Sequence, residues 1–183
     1  MDNWIFKYHE AIQKKEVIVG VWVRLCFEIL TTGLLNGEWE FNEKKANKAI
    51  KFIENFCHHS EGRSDLLHLE LWQKAIVSAI FGIMDKTTGY RQFREVFIIV
   101  ARKNGKTLFA AAIAAYMTYV DGEYGAKVYF LAPKLDQADL VYDAFYQIVQ
   151  SDDELDSITK KRRSDIYICL LYTSDAADDT PCV

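Results

Sequence analysis

The sequence predicts an α/β fold. It reads as a partial P-loop nucleotide-binding domain, a parallel sheet with flanking helices, preceded by a helical N-terminal segment. Three observations predict it. An apolar run, Val96 to Val100, leads into Val100-Ala-Arg-Lys-Asn-Gly-Lys-Thr107, and an Ala-rich helical run, Leu108 to Tyr116, follows. A second apolar run, Ala126 to Ala132, stops at Pro133 and precedes a helical pattern from Asp136 to Gln150. Strand, helix, strand, helix with short turns implies parallel pairing and right-handed crossovers. Third, the first 64 residues carry only helical periodicity.

Taken in order, residues 4–15 and 17–35 read as helices, and Gly33, Asn36 and Gly37 supply a stop. From Phe41 the apolar side chains Ala46, Ala49, Ile50, Ile53 and Phe56 recur at helical spacing with Lys and Glu on the other face. The polar stretch 58–65 marks a boundary between a lead-in of residues 1–64 and the α/β region 65–168. Leu66 to Phe81 is a further helix, 82–89 a turn, and Arg91 to Val100 the first strand. Small side chains after Thr107 suit a helix packed closely on a sheet.

Composition narrows the class. With 183 residues, half of them hydrophobic, the chain affords a packed core and is not of the disordered kind. Its net charge of −4 gives no global nucleic-acid signature. Locally the balance reverses: from Asp85 to Thr107 there are six basic residues against two acidic ones. The N-terminus lacks the basic region of a secretory signal, and Arg24 and Glu28 interrupt the apolar run from Val17 to Leu35, which argues against a membrane span. A cytosolic protein with reduced thiols is expected.

The turn carries the chemistry. A phosphate loop reads G-x-x-x-x-G-K-[ST]; here Gly105, Lys106 and Thr107 are intact and Val100 replaces the first Gly. Gly105 permits a tight turn and close approach of an anion, and the amides that follow open a helix whose N-terminus favours phosphate. Lys106 is expected to reach the β- and γ-phosphates of ATP, and the Thr107 hydroxyl to ligate Mg²⁺, a hard cation that prefers oxygen. Lys103 and Asn104 complete the cradle. Arg102 lies inside the loop, where a guanidinium can stabilise charge on the transferred phosphoryl group; a solvated or DNA-facing arginine is the competing reading.

Hydrolysis needs a second motif, an apolar strand ending in an acidic residue that holds Mg²⁺. Asp153-Glu154 follows polar residues, and Asp165 precedes an apolar run instead of ending one. Neither fits, so the hydrolytic acids are expected outside these residues. Cys57-His58-His59 has no second half of a metal site, and Lys160-Lys-Arg-Arg163 reads as a solvated face with DNA contact as the minority alternative.

Together these residues resemble the N-terminal part of the large terminase subunit of tailed bacteriophages. The resemblance covers about residues 5–168. It rests on Leu69-Glu-Leu-Trp72-Gln73, Ile80-Phe-Gly82, the Arg-containing loop without its first Gly, and Phe130-Leu-Ala-Pro-Lys-Leu-Asp-Gln-Ala138. It implies that Gln73 contacts adenine, that Lys106 and Arg102 serve catalysis, and that Ala132 to Gln137 couples ATP to DNA movement. It also implies partners: double-stranded DNA, a small terminase subunit, and the portal of a procapsid. A homo-oligomeric ring is implied for the full-length family, working in the cytoplasm of a bacterial host. The family's nuclease domain is not represented. Another helicase-type P-loop ATPase, or a non-enzymatic DNA-binding module, are the alternatives.

The stretch Cys169-Leu-Leu-Tyr-Thr-Ser-Asp-Ala-Ala-Asp178 looks like a translated sequencing-library adaptor. Residues 169–183 are therefore expected to be non-native and poorly ordered.

Overall fold

A computed structural model of the chain describes residues 3–59, 65–123, 126–162 and 165–168. The expected tail at 169–183 lies outside these residues, as do part of the polar boundary (60–64), part of the turn after Asp121 (124–125), and Arg163 of the basic run. The chain divides into two compact units, Met1–Asn55 with Leu66–Lys106, and Phe56–Asp65 with Thr107–Val183.

The first unit is built on helices. In α1 (Trp4–Gln13) the Asn3 side chain accepts the Ile5 N–H at 3.0 Å, capping the helix start, and Lys15 in the left-handed region ends it. Ile5, Tyr8 and Ile12 recur at helical spacing and turn inward. They meet Phe27 and Leu30 of α2 (Val21–Leu35), with the Tyr8 and Phe27 rings edge to face at 4.7 Å. α3 (Glu43–Phe56) starts where the Asn42 side chain accepts the Lys45 N–H at 3.0 Å. α4 (Leu71–Gly82) contributes Ala75 and Ala79 to the same core. Gly82 is required by proximity: a Cβ there would lie 2.6 Å from the Phe41 ring and 2.9 Å from the Ala46 Cβ.

β1 (Glu40–Phe41) and β2 (Ile83–Met84) pair antiparallel, Glu40 opposite Met84 and Phe41 opposite Ile83. A turn follows in which Asp85 Oδ1 accepts from the Thr87 N–H at 3.0 Å, the Thr88 N–H at 2.6 Å and the Thr88 hydroxyl at 2.8 Å. The Gln92 N–H then returns to the Ile83 carbonyl at 3.0 Å.

The chain from Glu95 to Val100 differs from the expected strand. It carries no strand pairing among the described residues, and Phe97 and Ile99 are 91% and 98% exposed. Ala126 to Ala132 behaves alike, with Tyr129 and Leu131 exposed and no strand pairing. The reason is physical. A parallel strand is stable when neighbours take up its N–H and C=O groups and helices cover both faces. Among the described residues every sheet pairing is antiparallel and two-stranded, so the expected parallel sheet is not formed there.

In the second unit, α5 (Lys106–Tyr119), from Thr107 onward, buries Phe109, Ala111, Ala112, Ala114, Ala115 and Tyr116. α6 (Leu135–Gln150) buries Ala144, Phe145, Ile148 and Val149. α7 (Asp153–Ser157) is capped by Asp152, whose carboxylate accepts the Glu154 and Leu155 N–H groups at 3.1 and 3.0 Å. β3 (Thr159–Lys161) and β4 (Ile166–Ile168) form a hairpin that the Arg162 N–H closes on the Asp165 carbonyl at 2.8 Å. Lys161 Nζ lies 3.8 Å from the Tyr146 ring centroid, a cation–π contact that gives part of the basic run an internal partner.

Candidate nucleotide site

The loop between the extended segment and α5 is short and tightly bent. Lys103 has φ 67° and Gly105 has φ 64°, so two residues out of three adopt the left-handed region. Gly105 does this at no steric cost, whereas Lys103 is strained there, by about 1–3 kcal/mol. A Cβ at Gly105 would meet nothing within 4 Å, so that glycine is needed for its backbone conformation and its Cβ side is open. Ala101 through Lys106 are all exposed.

α5 begins at Lys106. Lys106 and Thr107 therefore occupy the first turn of a helix, where amide N–H groups have no intrahelical partner and the helix dipole is positive. The donor set of the loop is cationic and hydroxylic: Arg102, Lys103 and Lys106, then Thr107. Residues of this kind at a helix N-terminus fit a polyphosphate, and the Thr107 hydroxyl offers the oxygen that Mg²⁺ prefers.

Asn104 acts on the loop itself. Its Nδ2 lies 3.3 Å from the Ala101 carbonyl oxygen and 3.3 Å from that of Arg102. Residue spacing alone does not reveal these bonds.

Gln73 sits in the first turn of α4 and is buried. Its Oε1 accepts the Glu70 N–H at 2.8 Å while the Glu70 side chain accepts the N–H of Gln73, a reciprocal capping box. The signal was present as an acidic residue followed three places later by Gln, but with Glu in place of the usual Ser or Thr. The side chain is thus engaged in starting the helix. Asp153 and Glu154 lie in the first turn of α7 and not at the end of a strand. Cys57 is fully buried, and burial, with a smaller contribution from Asp152, pushes its thiol up to about 12. Among the described residues no group of three or more His, Cys, Asp or Glu converges on a point that would hold a metal ion.

A cleft of about 770 Å³ lies along α3, lined by Glu40 to Lys44, Asn47, Lys48 and Lys51. No loop residue lines it, so this cleft and the phosphate chemistry do not coincide. A phosphate loop binds through its own backbone and needs no deep pocket. Among the described residues no helix is long and apolar enough to cross a membrane.

Residues 71–178 match the family described as "Terminase large subunit, ATPase domain". The chain is also similar in fold to the crystal structure of the HK97 bacteriophage large terminase, with a TM-score of 0.56 and 22% sequence identity. The similarity covers 72% of this chain but only 29% of that one, so the chain spans less than a third of the length of that terminase. No curated protein matches the chain. The family match takes in more than half of the residues, including the whole Gly-Lys-Thr loop and the capped helix before it, and on that ground the chain belongs to the terminase large subunit family.

Proposed function

We propose that residues 100–107 hold the triphosphate of ATP with Mg²⁺, and that this chain is the nucleotide-binding part of a motor that drives double-stranded DNA into a procapsid. The observation that carries the reading is the bend at Lys103 and Gly105 running directly into the N-terminus of α5, within the span matched to the ATPase domain. Backbone amides at the helix start take the phosphate oxygens. Lys106 neutralises charge on the β- and γ-phosphates, and the Thr107 hydroxyl ligates Mg²⁺. Arg102, exposed on the loop, supplies a guanidinium to the transferred phosphoryl group as charge develops. Bound Mg²⁺·ATP supplies the phosphoryl-transfer free energy that packaging consumes.

The other roles follow from the family. Gln73 serves the adenine side through whatever its amide retains beyond the capping bond. The segment from Ala132 to Gln137 transmits the nucleotide state. The full motor works in the cytoplasm of the bacterial host as a homo-oligomeric ring with a small terminase subunit and the portal.

Equilibrium binding of Mg²⁺·ATP to the full chain tests this, with Lys106→Ala measured in parallel. Loss of a charge-assisted contact to phosphate should weaken binding at least tenfold. Equal binding by both proteins removes the site assignment. ATP-independent, salt-sensitive DNA binding without any nucleotide effect would favour a simple DNA-binding module instead.

A further inference from the structure

We infer that Asn104 is a positioning residue that braces the phosphate loop before nucleotide arrives, and does not itself bind the phosphates. The inference rests on the phosphate-loop reading above and extends it to the loop's internal chemistry.

An asparagine side chain has one carbonyl acceptor and one NH₂ group with two N–H donors. Both acceptors near Asn104 are backbone carbonyls, those of Ala101 and Arg102, each at 3.3 Å from Nδ2. Carbonyls accept and never donate, so the NH₂ end must face them, which settles the orientation of the amide. The NH₂ group is thus turned toward both carbonyls and into the loop. The remaining polar atom, Oδ1, is an acceptor, and a phosphate oxygen offers it nothing to accept. A phosphate ligand at this position would need a donor that Asn104 has already committed inside the loop.

The bonds do mechanical work. They tie the carbonyls of residues 101 and 102 to residue 104, on either side of Lys103, the loop's strained left-handed residue. Left alone, a lysine relaxes out of that conformation, because its Cβ crowds the following carbonyl. With the brace closed, the carbonyls are drawn inward and away from the anion, and the amides of Gly105 to Thr107 are left to meet it. The loop then loses less conformational freedom on binding, and affinity is gained without a contact.

The test uses the full chain with Asn104→Ala and the isosteric Asn104→Asp, which keeps the shape but has no N–H. Backbone ¹⁵N order parameters are measured in the nucleotide-free protein, and Mg²⁺·ATP and inorganic triphosphate affinities are measured for wild type and Asn104→Ala. The brace predicts lower backbone order parameters at residues 102–106 in both variants before any ligand is added. It also predicts about tenfold weaker binding of both ligands by Asn104→Ala, the loss expected for two hydrogen bonds. The melting temperature of Asn104→Ala should hold, since the loop is exposed. Unchanged order parameters in the free variants, with binding lost, would mean that Asn104 touches the ligand, and the inference fails. Wild-type affinity in Asn104→Ala also overturns it. Failure of the wild-type protein to bind either ligand would instead remove the phosphate-loop reading on which the inference stands, and the inference with it.

Discussion

Glu54 and Lys74 meet at 3.0 Å between α3 and α4, and the same Glu54 oxygen accepts the Leu69 N–H at 3.0 Å. Lys74 also lies 4.8 Å from the Trp4 ring, so one ammonium links α3, α4 and α1. Both charged side chains are about four-fifths buried, at 19% and 22% exposed, which places the pair well beyond an ordinary surface salt bridge. Glu54→Ala leaves a largely buried ammonium and a backbone N–H without their partner. The expected loss is about 2 kcal/mol, read as a lower urea midpoint at unchanged slope. Glu54→Gln, which keeps an acceptor for Leu69, should lose less.

Gln73 has a structural duty that its proposed adenine contact must share. Gln73→Ala removes one half of the capping box and leaves the Glu70 N–H unmet. A cost of about 1–2 kcal/mol follows, visible in thermal melts without nucleotide. If the stability of the free protein were unaffected, the cap would be geometric only.

Asp85 gives a pH dependence whose sign can be worked out. Hydrogen bonds from the Thr88 N–H and hydroxyl come first, with the Thr87 N–H and the Arg94 charge contributing less, and they hold its carboxyl below the ordinary value. A depressed folded pKa contributes stability that is present above the unfolded value and lost as pH falls through the folded one. The turn should therefore weaken below about pH 4. Melting temperatures from pH 6 to 3 should fall more steeply for wild type than for Asp85→Ala, whose turn is already open. Parallel curves would contradict the assignment.

The two described cysteines should differ sharply in reactivity. Cys26 is exposed, and Cys57 is fully buried with its thiol pushed up to about 12. At pH 8 the thiolate fraction of Cys57 is about one in ten thousand, and reagent access is closed besides. Maleimide labelling followed by peptide mapping should mark Cys26 in the folded protein and Cys57 only on unfolding. For stability the sign is opposite to Asp85. A raised folded pKa means stability is full below the unfolded thiol value and declines as pH rises past about 9.

The helices were legible because their signal is repeated. In α3, five buried positions from Ala46 to Ile53 restate one periodicity, and similar repetition marks α1, α4, α5 and α6. Strand pairing was not legible in this way. Val96 to Val100 has the composition of a strand, but composition does not name a partner, and no pairing forms there among the described residues. β1 and β2 are two residues each, too short for any pattern, and are held by turn and packing contacts across the chain. The β3–β4 hairpin looked like a charge run because its lysine finds a tyrosine on α6, a contact that spacing does not record. At the site, Gly105, Lys106 and Thr107 stood out as a motif. The left-handed Lys103 did not, because lysine has no preference for that conformation, and neither did the Asn104 bonds that hold it.

The most direct measurement is a residue-resolved amide NMR titration of the full chain with Mg²⁺·ATP. Saturable shifts are expected, largest at Asn104 to Thr107 and strongly weakened in Lys106→Ala. Shifts centred on the α3 cleft around Lys44 to Lys51, with the loop amides unmoved, would contradict it, as would no saturable binding at all.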